Sequence, residues 1–173
     1  MKDNISYAGR VTIKVKGKPP VKKKNSGTLV LFNTLCDILT STNLSDNKVF
    51  PAYMSLIHNK SGTITPETII DNSNYLDYLD AELVTSLLPI SSRQSRYDGS
   101  CVFSSMLAHS QTNTSNSSGV ETCYVVLLSG EKKIMAFFNL DFNSVSPVFS
   151  DINSQAVIEW EMFFDNKEIT EWI

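Results

Sequence analysis

The stretch 120–140 constrains this chain more than any other. Val120 to Leu128 and Lys133 to Leu140 are two short apolar, β-rich runs around Ser129-Gly130-Glu131-Lys132. Two such runs joined by a glycine turn predict an antiparallel hairpin. A hairpin needs further strands to bury its apolar face, and the composition supplies them. Asn, Ser and Thr are plentiful and Ala is scarce, which favours strands, turns and polar loops over long helices. At 173 residues, the chain has the size of one domain with one core.

Strand signals recur on both sides of the hairpin. Val11, Ile13 and Val15 alternate with Thr12, Lys14 and Lys16, placing apolar side chains on one face and cations on the other. Gly17-Lys18-Pro19-Pro20 stops that strand, because proline cannot donate to a ladder, and Lys22 to Lys24 are expected to continue as a mobile basic loop. Ala52 to His58 and Cys101 to Ala108 read as strands, and Thr63 to Ile70 as a short strand broken by Pro66. Tyr75 to Leu88 fits helix or irregular structure, Arg93 to Ser100 is turn-like, and Gln111 to Gly119 reads as an exposed polar loop. Ala156 to Phe164 is a late strand, with Ile158, Trp160, Met162 and Phe164 on one face and Glu159 and Glu161 among residues facing water.

One helix stands out. Asn25-Ser26-Gly27-Thr28 offers capping side chains, and Leu31, Phe32, Leu35, Ile38 and Leu39 recur at spacings of one, three and four, up to an end near Ser41. The stripe is expected to pack on a sheet. The fold class that follows is mainly β, an antiparallel sandwich or barrel with one packed amphipathic helix, with α+β as the alternative. Residues 1–173 are taken as a single β-rich domain in which 1–24 form a basic N-terminal strand and arm.

Charge is unevenly spread. Lys2, Arg10, Lys14, Lys16, Lys18, Lys22, Lys23 and Lys24 meet only Asp3 in the first 24 residues, whereas acidic residues outnumber lysines from Glu131 onward. The candidate interaction residues are therefore Arg10, Lys14, Lys16, Lys18, Lys22, Lys23 and Lys24. Three uses compete for them: a lysine-protected edge strand, nonspecific contact with DNA phosphates, and docking on the acidic C-terminal part of a neighbouring copy. Specific nucleic-acid readout is disfavoured because no aromatic residue lies between Arg10 and Lys24.

Signals for chemistry are weak. His58 and His109 stand in no metal-ligand spacing, and no GxSxG, GxxxxGK[ST] or GxGxxG motif occurs. Asp77 with Asp80 and Glu82, or Glu159 with Glu161, form carboxylate pairs of the kind used in acid–base chemistry, but any acidic chain contains such pairs. Cys36, Cys101 and Cys123 are odd in number and widely spaced, which points to buried free thiols rather than disulfides or zinc. No cofactor and no enzymatic activity are expected. No apolar run approaches the roughly 20 residues that cross a bilayer, so membrane insertion is not expected. The start Met1-Lys2-Asp3-Asn4-Ile5-Ser6 lacks a secretory apolar segment, which predicts a chain that stays in the cytoplasm where it is made.

The layout of a non-secreted start, a basic arm, one amphipathic helix, an Asn/Ser/Thr-rich β region and the late aromatic strand Val157-Ile158-Glu159-Trp160-Glu161-Met162-Phe163-Phe164 resembles small virion proteins of tailed bacteriophages. That resemblance implies a non-enzymatic subunit of a head-tail connecting or tail ring, located in the virion and bound to copies of itself and other virion proteins. The alternative it implies is a capsid decoration or host-attachment module using the Gln111 to Gly119 loop.

Overall fold

The computed structural model describes residues 6–15, 19–40, 50–59, 64–78, 87–96, 100–108, 122–141 and 155–165. They form two antiparallel five-stranded sheets. Sheet I is built from β1 (Ser6–Val15), β2 (Val21–Lys24), β6 (Ser92–Ser95), β7 (Cys101–Ala108) and β10 (Gln155–Asp165), in the order β2-β1-β10-β7-β6. Sheet II is built from β3 (Ser26–Gly27), β4 (Pro51–Asn59), β5 (Leu88–Pro89), β8 (Thr122–Ser129) and β9 (Ile134–Asp141), in the order β3-β9-β8-β4-β5. The expected antiparallel sandwich is the fold observed.

The sheets share one core because their inward positions alternate in the same way. Val11 and Ile13 of β1 and Ile158, Trp160 and Met162 of β10 meet Met54 and Leu56 of β4, Val125 and Leu127 of β8 and Phe138 of β9. Trp160 and Phe138 stand edge to face with ring centroids 5.8 Å apart, an arrangement that brings a positive ring edge to a negative ring face.

The predicted hairpin is β8–β9, closed by hydrogen bonds from Ser129 N to Lys133 O and from Lys132 N to Ser129 O, both 3.0 Å. Lys132 takes the left-handed conformation there, with φ of 62°. The helix α1 (Leu29–Thr40) forms where it was expected, with Leu31 buried in the shared core and Leu35 against it. Its predicted stripe is incomplete, because Phe32 is 45% exposed.

Four local expectations are corrected. Lys22 to Lys24 are strand rather than mobile loop, since β2 pairs with β1 through Arg10↔Lys24, Val11↔Lys23 and Thr12↔Lys22. The Asn25–Thr28 segment does not chiefly cap the helix. Ser26 and Gly27 pair with Phe137 and Ala136, while Thr28 Oγ1 lies 2.5 Å from the Ile134 carbonyl and 3.1 Å from that of Met135. Pro66 to Asp71 is helical rather than extended: Thr65 caps α2 (Pro66–Asp71), accepting from Thr68 N at 3.2 Å, and Pro66 sits in the first turn where it has no intrahelical bond to lose. Cys36 is exposed and Cys101 half-buried, where buried thiols were expected.

Asn25 marks where the chain leaves sheet I for sheet II. Its backbone N–H donates to Gly9 O at 3.1 Å, and a β-carbon on Gly9 would stand 1.9 Å from its side-chain oxygen. Glycine at position 9 therefore makes room for the crossing.

A third layer covers the outer face of sheet II. Ile69 of α2 and Tyr75 and Tyr78 of the 3-10 turn Tyr75–Tyr78 pack on Ile57, Tyr124, Val126, Leu128, Ile134 and Phe137. Each phenol finds a partner: Tyr75 with Ser55 Oγ at 2.7 Å, Tyr78 with Asn72 O at 2.6 Å, and Tyr124 with Ile64 O at 3.2 Å. Among the described residues, no helix is long and apolar enough to cross a membrane.

Candidate functional site

The outer face of sheet I is lined with charge, and no covering layer lies on it among the described residues. Because β1 and β10 are antiparallel neighbours, the opposite charges of the two chain ends meet within one molecule, with Arg10 directly across from Glu161 and Thr12 across from Glu159. Arg10 Nε donates to Glu161 Oε2 at 3.0 Å, and its Nη2 also contacts that oxygen. Arg96, just past β6, donates from Nη1 to Glu161 Oε1 at 2.5 Å. Lys14 Nζ lies 2.6 Å from Glu159 Oε2, a diagonal neighbour in the register.

Glu161 was expected to face water and instead is 7% exposed. Val102 lies beside it on β7, and a guanidinium occupies each of its oxygens. Burying a carboxylate is costly unless it is paired and hydrogen-bonded, and two arginines meet that condition. Both carboxylates of the Glu159/Glu161 pair are thus bound to cations, which makes them structural anchors. Asp77 is likewise occupied, accepting from Asn74 Nδ2 at 2.6 Å and Asn72 Nδ2 at 3.0 Å at the end of α2.

Above this network lies a depression of about 310 Å³, bordered by Arg10, Lys14, Lys22, Arg96, Glu159 and Glu161. Among the described residues four cations there face two carboxylates, a positive excess. The lysines of β2 extend it. Lys22 and Lys24 share the outward face with Thr12 and Arg10, Lys23 projects on the other side, and all three are exposed. None of the three makes an ion pair with another described residue.

The seven predicted interaction residues therefore divide. Arg10 and Lys14 are engaged within the chain, Lys22, Lys23 and Lys24 form an exposed cationic edge, and Lys16 and Lys18 lie outside the described residues. The Gln111 to Gly119 loop, His109, Asp80 and Glu82 lie outside them too, as does the side chain of His58. Sequence reasoning missed Arg96 and the anchoring role of Glu161. The signal was present in the complementary outward charges of β1 and β10, Arg10 and Lys14 against Glu159 and Glu161, once those strands are placed side by side. No family model matches this chain, and no match to it was found among curated proteins or solved structures.

Proposed function

We propose that this chain is a non-enzymatic structural protein that binds an acidic protein surface through the outer face of sheet I and the lysine edge β2. The setting we propose is a subunit of a head-tail connecting or tail ring of a phage particle, touching copies of itself and other virion proteins after synthesis in the host cytoplasm. The observation that carries the reading is the charge surplus at β2. Arg10, Lys14 and Arg96 have carboxylate partners in their own chain, whereas Lys22, Lys23 and Lys24 add three exposed cations on an edge strand.

Those lysines also protect the edge, since charges on an edge strand discourage indiscriminate strand addition. Protection and recognition are compatible: a partner must then match the charge instead of merely extending the ladder.

Light scattering on the purified chain across a salt series tests the proposal. Assembly at low salt that dissolves at high salt, and is absent when Lys22, Lys23 and Lys24 are changed together to Gln, is the expected outcome. A chain that stays monomeric at every salt sinks the self-assembly reading. Equal affinity for double-stranded DNA of unrelated sequences, with a steep salt slope lost in the same variant, would move the edge to phosphate binding.

A further inference from the structure

The two outer sides of the sandwich point in opposite directions and carry opposite charge. On sheet I, Lys22 and Lys24 stand beside Thr12 and Arg10 on the outward side, and Lys14 and Arg96 border the same depression, so five cations share this face with Glu159 and Glu161. Farther along β7 and β10 the face turns apolar: Met106 is 53% exposed, and its register partner Val157 is half-buried.

The layer over sheet II is the reverse. Ile69 of α2 is fully buried against the sheet, and the helical repeat then places Glu67 and Asp71, one turn apart, on the side away from it. Both are exposed, as is Asp77, and Ile70 and Leu76 of the same layer are 47% and 44% exposed. Residues 64–78 contain no basic side chain. The adjoining hairpin turn brings Glu131 with Lys132 and Lys133, so layer and turn hold four carboxylates against two lysines. None of Glu67, Asp71 and Asp77 makes an ion pair with another described residue, and the two amides that hold Asp77 are neutral.

The acidic C-terminal part was the docking partner expected for the basic arm, but Glu159 and Glu161 of β10 are taken by Arg10, Lys14 and Arg96 of their own chain. The carboxylates of the α2 layer are not. Their spacing also fits: Lys22 and Lys24, alternate residues of a strand, stand about 6 to 7 Å apart, and residues one helical turn apart about 6 Å. We propose that the outer face of sheet I in one copy docks on the α2 layer of a second copy, with Lys22 and Lys24 against Glu67 and Asp71 and the exposed apolar residues of the two faces closing on each other. Because the two surfaces lie on opposite sides of one molecule, the contact is heterologous, the kind that closes into rings or runs on as a filament. It names the acidic surface in the assembly reading above and rests on that reading.

Sedimentation velocity at low salt tests it with two variants that change only exposed side chains: Lys22→Gln with Lys24→Gln, and Glu67→Gln with Asp71→Asn. The unaltered chain is expected to assemble and each variant alone to stay monomeric, since each lacks one of the two docking surfaces. Mixed in equal amounts, the variants should form a dimer and nothing larger, because one intact lysine face and one intact acidic layer remain, and that dimer also shows both variants to be folded. Assembly of the Glu67/Asp71 variant like that of the unaltered chain, or a mixture that stays monomeric, overturns the proposal, while loss of assembly in the lysine variant would still uphold the cationic edge. Assembly by the lysine variant overturns the edge reading and this contact together. An unaltered chain that is monomeric at every salt concentration overturns the self-assembly reading and this contact together.

Discussion

The two sheets have similar inner faces and opposite outer ones. On sheet II, β8 and β9 bury both faces, the inner against sheet I and the outer under α2 and the 3-10 turn, so Val125 through Leu128 are all inaccessible. A strand buried on both sides reads as a continuous apolar run, which is what made this hairpin conspicuous in the sequence. On sheet I the outer face has no such layer among the described residues. On β1 the outward Arg10, Thr12 and Lys14 alternate with the buried Val11 and Ile13, and Arg10, Lys14, Glu159, Glu161 and Arg96 interlock across the outer face. An outer face can be completed by covering it or by matching charges on it, and the second leaves the strands' own charged side chains at the surface.

The contrast should appear most strongly in stability. Tyr75 is 1% exposed and its hydroxyl pairs with Ser55, so Tyr75→Ala both opens a cavity and strands a buried hydroxyl. A loss of about 3 to 5 kcal/mol is expected in urea unfolding. A loss below about 1 kcal/mol would mean that the covering layer is not part of the cooperative fold.

On sheet I, Glu161→Ala leaves Arg10 and Arg96 facing each other without their shared anion. Both arginine side chains are about a third or more exposed, at 32% and 45%, so water moderates the penalty. About 1 to 3 kcal/mol is expected, below the value for a fully buried pair. If Glu161→Ala cost as much as Tyr75→Ala, the charged face would be as integral to the fold as the apolar one.

A smaller effect separates the faces by pH. Burial pushes the phenols of Tyr75, Tyr78 and Tyr124 above their ordinary value of 10.0, with Asp77 adding to the shift at Tyr78 and Glu67 at Tyr124. The unfolded chain gives up these protons first, so above that pH the folded state holds more of them and stability falls as pH rises. Tyr78→Phe should flatten the decline measured by thermal unfolding between neutral and strongly alkaline pH. An unchanged slope would remove Tyr78 from the explanation.

Legibility of the fold followed the range of the forces involved. Cys101 to Ala108 was read with its observed ends, and β10 and the hairpin to within about two residues, because their patterns are local. The helix at Pro66 was missed because its capping partner at the third position is Thr68, where the usual signature has Glu or Gln. The strand at Lys22 to Lys24 was missed because three consecutive lysines carry no alternation of their own. They become a strand by pairing with β1, whose free edge supplies the hydrogen bonds.

The site divides along the same line. Alternation by itself determined that Lys14 and Arg10 leave β1 opposite to Val11 and Ile13, and that Glu159 and Glu161 leave β10 opposite to Ile158 and Trp160, since a strand's side-chain period is two whatever lies beside it. The tertiary structure decided that the first and last described strands are neighbours. That one pairing joins Arg10 to a carboxylate 151 residues away, and the β6–β7–β10 order brings Arg96 to the same group across 65. Whether a charge is solvated or spoken for depends on what stands within a few ångströms of it, and contacts at such sequence separations are set by sheet order, which no local pattern encodes.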